Sequence, residues 1–380
     1  MNATDTLPVP PLNLAANFRE LRTEILAELT QIAESGMYIL GPKTAAFEEA
    51  LAKYTGAKHA LGVSSGTDAL LIALMALNIG PGDEVICPTF TFFGTAGVVS
   101  RVGARPVFCD VNSDSFNAGI DEIRSRITER TRAIIPVHLY GQMTNVREIM
   151  EAAAPRSIAV IEDACQAIGA AEPGVMGAKA GALGTFGALS FYPTKNLGAL
   201  GDAGALLTND PKLFEIARKL RVHGSGHTYH HDIIGGNFRI DALQAAVLTI
   251  KLRRLEAWTE QRRARAGMYT ELFQASGLAP IHVRLPREEF GRHVYHQYVI
   301  RVDRRDELQK FLQERKIGSG VYYPVPLHLQ PCFASLGGRK GDFPHAEQAA
   351  GEVLALPMYP ELTDQQQAAV VGAIREFFRR

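Results

Sequence analysis

His59-Ala60-Leu61-Gly62-Val63 runs directly into Ser64-Ser65-Gly66-Thr67-Asp68-Ala69-Leu70-Leu71-Ile72-Ala73-Leu74-Met75-Ala76-Leu77. The first five residues are an apolar run of strand length. From Gly66 onward, Leu70, Leu71, Leu74 and Leu77 recur at helical spacing, so the junction reads as a strand turning into a helix. The alternation continues downstream. Short β-branched-rich runs lie at 84–87, 106–109, 133–137 and 158–161, with helical stretches between most of them, and 187–192 and 204–208 read as two further strands. Strands alternating with helices predict an α/β fold with a mostly parallel sheet covered on both faces.

Upstream, 18–34 predicts an amphipathic helix with Leu21, Ile25, Leu29 and Ile32 on one face, followed by a loop at 36–42 and a second helix to about Tyr54. Downstream, 239–274 predicts a long helix with a break. Strands are expected at 294–302 and 319–323, and helices at 305–315 and 362–378. The expected organisation is a large α/β domain over 1–255, including the N-terminal helical segment, and a smaller α/β domain over 256–380.

The 380 residues carry 40 Lys plus Arg against 40 Asp plus Glu. A formal charge of zero argues against a nucleic-acid footprint and against membrane binding through bulk charge. It leaves room for a small anionic ligand, which needs only a local site. Cys87, Cys109, Cys165 and Cys332 form no CxxC or Cys/His cluster, so no metal site is expected and free thiols in a reducing cytoplasm are. Pro8, Pro10 and Pro11 stand where a signal peptide would need an apolar core, and no apolar run reaches the ~18 residues of a membrane span. A cytoplasmic protein is expected.

Four motifs bear on chemistry. Ser64 to Leu70 places Gly66 and Thr67 at a helix N-terminus, where unpaired N–H groups suit a phosphate; the plain alternative is an N-cap. In Glu162-Asp163-Ala164-Cys165-Gln166-Ala167, Asp163 ends an apolar strand, where ligands of open α/β sheets gather; a cap of the following segment is the alternative. In Ser190-Phe191-Tyr192-Pro193-Thr194-Lys195-Asn196-Leu197-Gly198, Lys195 follows an expected buried strand, and a desolvated lysine forms Schiff bases. Gly235-Gly236-Asn237-Phe238-Arg239-Ile240-Asp241 leads into a helix. His223, His227, His230 and His231 precede it without the fixed spacing of a metal site, so contact with an anionic substrate or a place on the surface is the simpler reading. No GxGxxG follows the first strand, which argues against a dinucleotide-binding enzyme.

In this order and spacing the motifs resemble the fold-type I, PLP-dependent sugar aminotransferases of the DegT/DnrJ/EryC1 group. The resemblance extends from the 38–42 loop to the Tyr323/His328 region. It implies a large domain with a mostly parallel, mixed seven-stranded sheet between helices, and a smaller C-terminal α/β domain. It implies pyridoxal 5′-phosphate held by Lys195 as an internal aldimine, with pyridoxamine phosphate as intermediate. Asp163 matches the carboxylate on the pyridine nitrogen, Gln166 the residue beside the ring hydroxyl, and Phe92 the stacking aromatic, with Phe90 and Phe93 as close rivals. Gly66, Thr67 and Ser190 match phosphate contacts. Asn237 matches an asparagine reaching the phosphate of a neighbouring subunit, which implies a homodimer with shared active sites. Arg239, Tyr323 and His328 match positions near the sugar.

Ala203 departs from the second glycine that many members carry. Lys195 itself is retained, whereas a dehydrating branch of the group has histidine there, so transamination is the implied reaction. The wording 191–198 resembles members that aminate the third sugar carbon. The implied reaction moves nitrogen from L-glutamate to a UDP- or dTDP-linked 3-keto hexose, as in polysaccharide or antibiotic-sugar biosynthesis. The alternatives are a 4-keto nucleotide-sugar aminotransferase and, in a different class, a non-catalytic PLP-binding regulator.

Overall fold

The computed structural model describes residues 7–173, 177–227 and 229–380, with His227 described by its backbone alone. Two helices open the chain, α1 (Leu14–Ser35) and α2 (Pro42–Thr55). The alternating region follows as β1 (His59–Val63), α3 (Gly66–Ala76), β2 (Glu84–Pro88), α4 (Phe93–Arg101), β3 (Arg105–Cys109), α5 (Ile120–Arg124), β4 (Thr131–Ile134), α6 (Val146–Ala153), β5 (Ala159–Asp163), β6 (Phe186–Ser190), β7 (Gly204–Thr208) and α7 (Pro211–Leu220). The seven strands form one sheet in the order β1-β7-β6-β5-β4-β2-β3. β7 runs antiparallel to both its neighbours, and every other pair is parallel. The α/β class is as the alternation predicts, and the mixed seven-stranded sheet is as the resemblance implies.

This topology positions the site. β1, β2, β5 and β6 point the same way, so Ser64, Thr89, Asp163 and Ser190 gather at the C-terminal edge of the sheet, where open α/β folds place their ligands. The turn from β1 into α3 is fixed by side chains. Ser65 caps the helix by accepting from the Asp68 N–H at 3.0 Å, and Asp68 accepts from the hydroxyls of Ser64 and Ser65 at 2.6 and 2.9 Å. Gly204 lets β7 pass close behind this turn, since a Cβ there would stand 2.3 Å from the Ser65 carbonyl carbon.

The chain continues through a small hairpin, β8 (Ser225–His227) and β9 (His230–His231), to α8 (Ala242–Leu252) and α9 (Leu255–Ala275). The expected break in the long helix falls at Arg253 and Arg254. The helix starts later than predicted because Arg239 pairs with Val63 at the sheet edge. α1 buries Leu21 and Ile25 against Val247, Ile250 and Trp258 of this helix pair.

A second sheet holds β10 (Val283–Arg284), β11 (Tyr298–Val302) and a later strand, β12 (Val353–Leu356), with all pairs antiparallel. It packs with α9, α10 (Arg305–Glu314) and α12 (Asp364–Phe378) around Tyr269, Phe273, Tyr298, Phe311 and Ile374, and α11 (Pro344–Glu352) leads into β12. Val9 from the N-terminus joins this cluster and bridges to Ile317.

Two expected strands are shorter than predicted. In 294–302, only Tyr298–Val302 is strand. The Val294 and Gln297 N–H groups bond instead to Gly141 and Tyr140 carbonyls, tying this stretch to the large sheet's loops. In 319–323, only Gly320 pairs, with Ala355, and the next residues leave the small sheet to bring Tyr323 to Gln166. Among the described residues, no helix is long and apolar enough to cross a membrane.

Candidate active site

A cavity of about 450 Å³ opens at the C-terminal edge of the large sheet. Asp163, the last residue of β5, is buried at its floor, and its Oδ2 accepts from the Thr95 hydroxyl at 2.7 Å. Its Oδ1 accepts from the Cys165 N–H at 3.3 Å. Thr95 is fully buried on α4, and its hydroxyl also meets that of Thr91 at 3.1 Å. Thr95→Val would strip a buried carboxylate of its side-chain donor, at a cost of about 1–3 kcal/mol. A thermal melt checks this; an unchanged melting temperature would contradict it.

Lys195 reaches the same cavity from the loop after β6. Its N–H donates to the Tyr192 carbonyl at 2.8 Å, and its side chain is half-buried. Desolvation pushes its ammonium group below the usual lysine range, and the nearby Cys165 and Asp163 oppose that shift. The next residue, Asn196, is buried and clamped. Its Nδ2 donates to the Val294 carbonyl at 3.0 Å, and its Oδ1 lies 3.2 Å from His296 Nδ1. Burial, and then the charges of Lys195 and Arg262, hold His296 well below the usual histidine range, so it is neutral at neutral pH. A neutral imidazole with hydrogen on Nδ1 donates to that oxygen.

Phe92 stands at the start of α4, 55 % exposed on the cavity wall. Its rivals turn away: Phe90 is buried edge-on beneath Tyr323, and Phe93 packs on Phe333 with ring centres 5.6 Å apart. Gln166 ties two elements together. Its Oε1 accepts from the Tyr140 N–H at 2.8 Å, and its Nε2 donates to the Tyr323 hydroxyl at 3.1 Å. Desolvation pushes the Tyr323 phenol up, so it stays protonated.

Gly66, Thr67 and Ser190 also line this cavity. The first N–H groups of α3 have no intrahelical carbonyl and face an anion favourably. A Cβ on Gly66 would stand 2.6 Å from Cys165 Sγ and 2.9 Å from Ser190 Cβ, so the backbone approaches this closely only as glycine.

Eight predicted residues therefore share one cavity: Gly66, Thr67, Phe92, Asp163, Gln166, Ser190, Lys195 and Tyr323. Three do not. His328 is buried outside it, with Nδ1 2.8 Å from the Thr89 hydroxyl and Nε2 3.1 Å from Glu347 Oε1. Both ring nitrogens are engaged within the chain, so in this structure His328 joins β2 to α11 and does not face a sugar. Asn237 is exposed and pairs with Val222; Arg239 pairs with Val63, and its buried Nε has no partner. In the histidine-dense loop, His231 Nδ1 donates to the His223 carbonyl at 2.9 Å, and the His227 side chain lies outside the described residues. Sequence reading missed Thr95: nothing in its local pattern signals a bond to a carboxylate 68 positions away.

The DegT/DnrJ/EryC1/StrS aminotransferase family matches residues 19–375. The chain belongs to this family. It is 49% identical to a "Pleiotropic regulatory protein" of Geobacillus stearothermophilus, over 98% of this chain and 99% of that one. It is 44% identical to the UDP-N-acetyl-3-dehydro-alpha-D-glucosamine 3-aminotransferase of Acidithiobacillus ferrooxidans, over 98% of both chains. The crystal structure of S. venezuelae DesV in complex with a ketimine intermediate superposes with a TM-score of 0.93 at 42% identity, over 99% of this chain and 100% of that one.

The enzyme is a PLP-dependent aminotransferase of fold type I. Its residues fit that cofactor. A desolvated amine suits an aldehyde, a buried carboxylate suits a protonated ring nitrogen, and a helix N-terminus with a glycine at its first position suits a phosphate.

Proposed function

We propose that the enzyme moves an amino group from L-glutamate to the third carbon of a keto sugar linked to UDP or dTDP. The observation that carries the aminotransferase site is the meeting of Lys195 and Asp163 in one cavity beside the start of α3. The sugar class is supported by the relatives' names, and the position by the 44%-identical 3-aminotransferase and the 191–198 wording. A 4-keto acceptor is the alternative. The 49%-identical regulatory relative favours a second reading, a PLP-binding regulator without turnover.

In this reading Lys195 would hold the cofactor's carbonyl carbon, Asp163 its ring nitrogen, Gln166 its ring hydroxyl and Phe92 its face. Gly66, Thr67 and Ser190 would hold its phosphate. When bound, PLP supplies an electron sink for the charge left as a carbon–hydrogen bond breaks. Lys195 Nζ, made less basic by burial, takes up and returns that proton. The Asp163 carboxylate, held in orientation by Thr95, would meet the ring nitrogen. Tyr323, bonded to Gln166, covers the cavity from the C-terminal part of the chain. Asn237, exposed outside its own cavity, would serve the phosphate of a second copy, so each site would need a homodimer. Arg239 would lie near the sugar on the same segment. The division at about residue 255 into a cofactor-binding part and a capping part, and a cytoplasmic location, belong to the same reading.

The test is to incubate the enzyme with L-glutamate and 3-keto or 4-keto nucleotide sugars and follow 2-oxoglutarate release. Amination of the 3-keto sugar is expected. Amination of the 4-keto sugar alone would overturn the position, and release from neither would favour the regulator.

A further inference from the structure

A second cavity, of about 190 Å³, lies behind the loop that carries Lys195; Lys195 lines both. Lys251, on α8, is 6 % exposed, and its Nζ donates to the Gly198 carbonyl at 2.6 Å. Arg262, on α9, is 5 % exposed and donates through one nitrogen to the carbonyls of Tyr295 and Met358 at 3.2 and 3.0 Å. Among the described residues, no carboxylate stands within ion-pair distance of either cation. Glu361, the acidic residue in the wall, is exposed.

Two buried cations hydrogen-bonded to neutral carbonyls are costly, because desolvation penalises the charge; the Glu361 charge opposes that only for Arg262, and only in part. The strain is legible in their acidity: desolvation pushes Lys251 down to about 8 and Arg262 to about 10. The wall thus supplies N–H donors and excess positive charge around a space of small-ligand size.

We propose that this cavity binds a small oxyanion, a carboxylate or phosphate group, between Lys251 and Arg262 and against the loop that carries Lys195. The anion offsets both buried charges. It also braces residues 195–198 from behind, because Lys251 already holds the Gly198 carbonyl. The site is separate from the helix N-terminus at Gly66 and does not depend on which sugar is aminated.

The test uses the PLP-loaded enzyme, so that the phosphate position at Gly66 is filled. Inorganic phosphate and 2-oxoglutarate are titrated separately at constant ionic strength, and the melting temperature is followed in wild type and Lys251→Met. A rise of about 2 °C or more at ten times the dissociation constant, growing with the logarithm of concentration beyond it, is expected in wild type. It is expected to vanish for phosphate in Lys251→Met, and to shrink for 2-oxoglutarate to whatever the substrate cavity contributes. The probe whose rise depends on Lys251 identifies the source. No such rise in wild type with either probe, or equal rises in the variant, would overturn the proposal. Diffraction from wild-type crystals soaked in phosphate gives an independent readout if the variant does not fold. A tetrahedral peak between Lys251 and Arg262 supports the site, and water alone there overturns it.

Discussion

Lys195→Ala is expected to lower transamination by about 1,000-fold or more, the range that loss of a positioned proton carrier produces. The loss should fall on kcat, because the deleted amine is the proposed proton carrier and is not one of the proposed sugar contacts. Stability should change little. Lys195 is a desolvated amine whose charge burial disfavours, and the loop is held by other groups, namely the Tyr192 carbonyl and the Asn196 bonds to Val294 and His296. Steady-state kinetics together with a thermal melt separate the two effects. A variant retaining native turnover would refute the assignment, and one that simply unfolds would contradict the structural argument for its loop.

Asp163→Asn is the second large effect, at about 100-fold or more in kcat, the size expected for removing an aligned charge from a desolvated site. The substitution is nearly isosteric and keeps an oxygen that can accept from Thr95, whose hydroxyl lies 2.7 Å away. What changes is the negative charge beside the ring position. An altered cofactor absorption spectrum should therefore accompany the slower reaction. Native turnover in a correctly folded Asn variant would show that the carboxylate's charge is not used.

Much of the fold was legible because local pattern and global topology agree in this chain. The apolar runs around Val63, Cys87, Asp163 and Ser190 are strands, and the leucines after Gly66 form one buried helix. Pattern failed where tertiary contacts took over the backbone. Residues 294–297 alternate like a strand but bond to Tyr140 and Gly141, and Tyr323 is drawn away from the small sheet by Gln166. The site was legible at its loops and strand ends, where chemistry sits on short motifs. It was not legible in its supports. Thr95 and His296 act across long sequence separations, and His328 looks like a binding residue until Thr89 and Glu347 are seen to occupy both its nitrogens.

Zero net charge of the 380-residue chain argues against a broad anionic partner, yet the proposed ligands are anions. They would be met locally, by the start of α3 and by buried cations.

The most direct test of the account is to reduce the purified, PLP-loaded enzyme with borohydride, digest it and map the modified peptide. The account predicts one phosphopyridoxyl group, on Lys195. A group on any other lysine, or a cofactor fully released on denaturation, would contradict it.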